Sequence, residues 1–326
     1  MAEIATPLQK VQIGVESTSG TSVAANKVLP FLTLDPSPQD DTSMQRAQGF
    51  RYPVTQVRGR TWTEAKISGP LSFNESSYLL SSLLHTTTPT TVAAGVYSWA
   101  FSPASSAIDT PKTFTIEQGD ATTARKFSYG IIKSMKFTQD KDQIKFDGSM
   151  FGKALTVGST LTASPTTVAT GSVVTPNTAV IATSSTSGGT FTALARALKF
   201  ETEFTDRWKP IFNISDIADE SFVAHVDTES DVKVKLTLAA DAAGEAFVTA
   251  LRQRTTQWMT YTVTGPTIAS TYAYKFIIKM AFNVESIGEL KDNDGVYCYQ
   301  PTLVAVHDST WGKAVEVTVQ NSLATL

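Results

Sequence analysis

Three histidines, His85, His225 and His307, and a single cysteine, Cys298, are all the chain has of the side chains that most often bind metals or attack substrates. Each histidine stands alone, with no second His or Cys at a metal-ligand spacing, so structural or surface roles are expected for all three. No G-x-S-x-G elbow, H-E-x-x-H helix, Walker loop or dinucleotide fingerprint is present, and Cys298 lies in the apolar run VYCY, where a buried inert thiol is expected. Asp292-Asn293-Asp294-Gly295 opens like a calcium loop. An EF-hand then needs an oxygen ligand, a Gly and, at its twelfth position, a Glu, where this chain has Val296, Tyr297 and Leu303. A tight turn is the better reading. One cluster remains: Arg46, Arg51, Arg58 and Arg60 follow Asp40 and Asp41 in a segment that also holds Tyr52 and Trp62. Arginine with aromatics can grip single-stranded nucleic acid, but the acids at its start and its loop-like Pro and Gly favour a protein-contact surface. No catalytic constellation, cofactor or metal is expected.

The elements that must position these residues are mostly strands. Apolar residues alternate in Asp231 to Leu238 and in Ala314 to Val319, and further strands are expected over 198–204, 258–263, 272–282, 113–117 and 126–138. Glu75 to Leu84 and Ala240 to Arg252 instead carry apolar residues at three- and four-residue spacing behind the capping candidates Asn74 and Asp241, which predicts two helices. Ser76 to Ile108 and Ala154 to Ala195 contain no Asp, Glu, Lys or Arg and are rich in Ser and Thr, as long uncharged loops would be. No apolar run approaches the roughly 18 residues that would cross a bilayer. The net charge of -3 gives no global basic field to condense nucleic acid. Met1 to Lys10 lacks the basic start and apolar stretch of a secretory signal, so assembly in a cytosol is expected and the sequons at Asn74 and Asn213 read as accidental.

The sequence also matches itself. A slide of 167 positions lays Ile67 on Val234, Asn74 on Asp241 and Leu84 on Leu251, so a strand, a cap and a helix recur. A slide of 152 lays Ile132 on Val284 and Asp142 on Asp294, which reads as a repeated hairpin. The expected organisation is a duplication: a first unit over 1–152 with an N-terminal arm, an uncharged linker or loop over 153–195, and a second unit over 196–326.

The opening Val11 to Gln39, with Glu16 to Ala25 reading E-S-T-S-G-T-x-V-A-A, resembles the start of tail tube proteins of long-tailed, non-contractile bacteriophages. Ile67 to Leu84 is similar to that family's strand-plus-helix unit, and Gly189 to Phe212 to the start of its second half. Asp294 to Tyr299, Trp311-Gly312 and Val315 to Leu326 are similar to its closing hairpin and final strand. The resemblance implies a mainly β chain of two tandem barrel or sandwich-like units, each with a flanking α-helix. It implies a structural virion protein in the tail, assembled in the host cytoplasm into stacked rings around a conduit for genome ejection. Three chains would close a pseudo-sixfold ring if the duplication holds, and six if only one unit lines the tube. The implied partners are other copies of the chain, tape-measure and tail-end proteins, and duplex DNA passing a neutral to acidic lumen without tight binding; no membrane is implied. The N-terminal arm and the segment Asp35 to Thr61, with Asp40, Asp41, Arg46, Arg51, Arg58 and Arg60, are the expected ring-to-ring contacts. A β-rich adhesion or decoration protein on a particle surface is the second reading, and a polysaccharide hydrolase the third.

Overall fold

The computed structural model describes residues 8–120, 122–169, 173–214 and 221–326; Met1–Pro7 of the expected N-terminal arm and Ser215 of the second sequon lie outside them. Branched and ring side chains at alternate positions suit a half-buried pleated surface, and the chain is accordingly mainly β. Its principal strands are β1 (Lys10–Val15), β2 (Thr33–Asp40), β3 (Thr61–Pro70), β4 (Val96–Phe101), β5 (Phe114–Gly119), β6 (Ala124–Gln139), β7 (Ile144–Gly152), β8 (Ala179–Ser184), β9 (Ala197–Phe204), β10 (Val232–Ala239), β11 (Gln257–Ala269), β12 (Tyr272–Ile287), β13 (Pro301–Ala305) and β14 (Val315–Asn321). Helix α1 (Glu75–Leu83) follows β3, and helix α2 (Ala242–Gln253) follows β10. Every expected strand and both expected helices are present, with ends that differ by a few residues.

The main sheet is antiparallel and runs β2–β3–β7–β6–β9–β10–β13–β12. Its first four strands and its last four have the same order, and each set sends a helix out after its second strand. The slide of 167 lays Ile67 on Val234, but their strand partners, Leu34 and Thr202, are 168 apart, so the first strands of the two sets are offset from that slide by one residue. The slide of 152 holds at the hairpin tips, where the Gln143 amide donates to Asp140 as the Gly295 amide does to Asp292, but not along the strands. From Ile67 the ladder leads through Gly148 to Met135, and from Val234 through Leu303 to Val284, so Met135 rather than Ile132 is the counterpart of Val284. Bulges at Ile132/Ser134 and Val284/Ser286 shift the phase, and the second hairpin extends further through the short strands Lys291–Asn293 and Val296–Tyr299. An ungapped comparison cannot follow such changes.

Strands β6 and β12 also reach beyond the main sheet. The first half of β6 pairs with β5, and β5 with β1. The first half of β12 pairs with β11 on one edge and β14 on the other, and these lead on to β8 and β4. Strand β6 changes direction at Tyr129, whose φ of 59° is in the left-handed region. The Tyr129 amide donates to Glu16 at 2.9 Å and its hydroxyl lies 3.1 Å from Nδ1 of His225, which offsets the local strain.

One hydrophobic core runs through both halves, from Ile13 and Ile67 to Phe137, Phe200, Leu303 and Val319. Phe200 stacks on Tyr261 with ring centroids 4.1 Å apart, and Phe137 packs on both Phe204 and Phe276. The halves also interlock, since β14 pairs with β4 and the Asn321 side chain donates to the Phe73 carbonyl and the Ser77 hydroxyl at the start of α1. Helix α1 is buried on all sides, whereas α2 buries only Gly244, Phe247 and Ala250.

The segment 153–195 is built into the fold rather than serving as a plain linker: β8 pairs with β11, Val168 and Val174 enter the core, and the Val174 amide donates to the Leu71 carbonyl. Of the expected barrel or sandwich-like arrangements the closed barrel is not formed, because no pairing among the described residues returns from one end of the main sheet to the other. The sheets are open. No helix among the described residues is long and apolar enough to cross a membrane.

Candidate assembly surfaces

The structure places all six of the expected contact residues on one projecting hairpin. Strand β2 continues past Asp40 into the short strands Ser43–Gln45 and Thr55–Val57, which pair only with each other before the chain returns as β3. Of the expected contact segment Asp35 to Thr61, the part up to Asp40 is strand in the main sheet and only the part beyond it projects. Asp40, Asp41, Arg58 and Arg60 stand at its neck and Arg46 and Arg51 further out, all exposed. The neck is tight: the Asp41 amide donates to the Arg60 carbonyl at 2.9 Å, and a Cβ on Gly59 would come within 2.0 Å of the Asp41 carbonyl oxygen. Arg60 is anchored, with its guanidinium 5.0 Å from the centre of the Phe212 ring. Of the apolar side of this hairpin, sequence reasoning named only Tyr52. Met44, Phe50, Tyr52, Val54 and Val57 are all about half exposed or more, from 48% to 73%. Such a patch on a projecting arm suits a protein contact.

The second surface is formed by the ends of the main sheet. Inside the chain, the two like sets of four strands join where β6 pairs with β9, with Met135 opposite Phe204, Phe137 opposite Thr202 and Gln139 opposite Phe200. The outer edge of β2 and the edge of β12 beyond Phe282 have no strand partner among the described residues. A groove of about 780 Å³ lies along β2, lined by Asp35, Pro36, Ser37, Gln118 and Arg125 among others.

The third surface is the face of the main sheet turned away from the core. Its charges alternate across the strands: Lys136 is opposite Asp147 on one side and Glu203 on the other, and Glu203 is opposite Lys233. Lys136 pairs with Glu201 at 2.9 Å and Lys233 with Glu285 at 3.0 Å. Of the lysines on this face, Lys136 and Lys233 are each paired with a carboxylate.

The residues considered for chemistry have structural surroundings. Burial lowers the pKa of His85 and His225, which favours their neutral forms. His307 lies 3.0 Å from the Ser105 hydroxyl, and Cys298 is buried with its thiol donating to the Val296 carbonyl. Asp292 to Gly295 forms the tip of a hairpin, with the Gly295 amide donating to Asp292 and Gly295 at φ 83°. At that tip Asp294 pairs with Lys141 of the first hairpin at 2.7 Å. The buried Arg207 is paired with Asp109 and with Asp227, which ties the loop after β4 to the strand Ala224–Asp227. Asn74 is fully buried and its amide donates to the Ala169 carbonyl, which excludes a glycan there. No group of three or more His, Cys, Asp or Glu among the described residues is placed to hold a metal ion. No protein-family model and no curated protein matches this chain.

Proposed function

We infer that this chain is a structural protein that polymerises into stacked rings forming a hollow tube, in the manner of the phage tail tube proteins its sequence resembles. The observation that carries this reading is the joint between β6 and β9. There one four-stranded set adds edge to edge onto another of the same order, and two open, non-identical edges remain at the ends. A head-to-tail joint that leaves the same two edges free at its ends can be repeated from chain to chain, and a ring is its closed form. Three chains of eight main-sheet strands supply about 24 strands. At ~4.8 Å per strand and ~45° of tilt the backbone circle is roughly 50 Å across, which leaves about 40 Å inside the side chains and admits duplex DNA. The charge-matched outer face supports a lining that passes a polyanion without gripping it. The projecting hairpin, apolar and basic, suits contact with the next ring.

Electron microscopy of the purified protein, with light-scattering mass on its soluble fraction, tests the reading. Hollow striated tubes or rings of three chains are expected. Stable monomers at every concentration, with or without tail-initiation proteins, would overturn it in favour of a surface decoration protein.

A further inference from the structure

The backbone directions along both open edges define a register in which they can meet. In β2 the Asp41 amide donates to Arg60, so the odd-numbered residues turn their backbone groups to β3, while Leu34, Pro36 and Pro38 turn theirs outward. At the end of β12 the Gly288 amide donates to Gln300, so Ser286 turns toward β13 and Ile287 turns outward. The joint inside the chain has the same arrangement. The Thr205 amide donates to Asp231, which leaves Thr202 and Phe204 facing β6. The ladders make Leu34 the counterpart of Thr202, Pro36 of Phe204, and Ile287 of Phe137. Phe137 lies opposite Thr202. The same step between two copies sets Ile287 opposite Leu34, each with its amide and carbonyl free, and sets the exposed Ser286 beside the exposed Asp35. The apolar faces agree as well, since Leu34, like Phe137 and Thr202, is turned to the core.

One difference separates this seam from the joint it copies. Where the joint has Phe204 the seam has Pro36, which has no N–H to donate. Pro38 removes a second donor from the same edge. We propose that a second copy of this chain docks on the β2 edge through Ser286 and Ile287, with Ile287 opposite Leu34, and that Pro36 keeps this seam weaker than the joint within the chain. The proposal rests on the ring reading above and adds its register and its control. An isolated chain then has an edge that is competent but short of donors, so rings close only when concentration or a second contact, such as the projecting hairpin, assists.

Cysteine pairs test the register. In the full-length protein, Asp35→Cys with Ser286→Cys places two exposed thiols at a pair whose backbone groups face away from each other, where strands come closest and disulfides form readily. Mild oxidation should give covalent trimers, at least tenfold more than Ser37→Cys with Ser286→Cys, while either single variant should not link. Rings or tubes seen by microscopy without preferential linking of the first pair would overturn the register and leave the ring reading standing. Absence of both rings and links would overturn both. Pro36→Val restores one donor and should lower the protein concentration at which rings close by about two- to tenfold. An unchanged or raised threshold, with the cysteine result positive, would overturn the role given to Pro36.

Discussion

Glu75 is the least comfortable side chain in the molecule. It is almost wholly buried at the start of α1, one oxygen accepts the Phe31 amide at 3.1 Å, and the other has no partner. Burial raises its pKa to about 7 against the help of that hydrogen bond. Below about pH 4.5 the folded and unfolded chains both hold the proton. Between there and pH 7 only the unfolded chain releases it, so stability falls through that window and stays lower above it. Glu75→Gln should therefore stabilise the protein by roughly 1 to 3 kcal/mol at pH 8, less than the full shift because the new amide has no acceptor. The gain should shrink to nothing near pH 4, and urea unfolding at both pH values checks this. Arg207 poses the opposite case, a buried cation between Asp109 and Asp227. Arg207→Met strands two carboxylates and should cost about 3–5 kcal/mol in the same assay.

The elements divide into those the sequence declares and those it conceals. Asp241 accepts from the amides of Ala243 and Gly244, so Asp241→Ala should cost about 1 kcal/mol of unfolding free energy. Asn74 looks equivalent in sequence but makes no cap, and its substitution would act through the segment around Ala169 instead. Both helices and the long alternating strands were legible because each presents one apolar face at a fixed period. The hairpin beyond Asp40 was legible only as a charged segment, since its two short strands are exposed on both sides and leave no alternation to read. Strand β8 was hidden for the opposite reason, as an uncharged Ser/Thr-rich run is common to loops and to buried sheet. If the hairpin joins ring to ring, replacing 43–57 with a short turn should leave rings that no longer stack. Ordinary tubes in the microscope would reject that role.

For the whole molecule, the sequence put forward candidate contact residues but not the open edges, because an edge is defined by strands that come from distant parts of the chain. The matched charges on the outer face were equally invisible, since Lys136, Asp147, Glu203 and Lys233 meet only once the register is set. They predict that assembled protein binds duplex DNA no tighter than about 10⁻⁴ M at 0.15 M salt, measurable by fluorescence anisotropy. Clear binding at that salt would mean a lysine-dominated lining. The pairing of β14 with β4 has a consequence for synthesis. Asn321 anchors to Phe73 across 248 residues, and Val317 lies opposite Phe101. A nascent chain on the ribosome cannot complete its first sheet or seat α1 until residues 315–321 have emerged. A polypeptide released before that point lacks both the strand opposite Phe101 and the anchor at Phe73, so an interrupted translation product leaves β4 unpaired and exposes the start of α1.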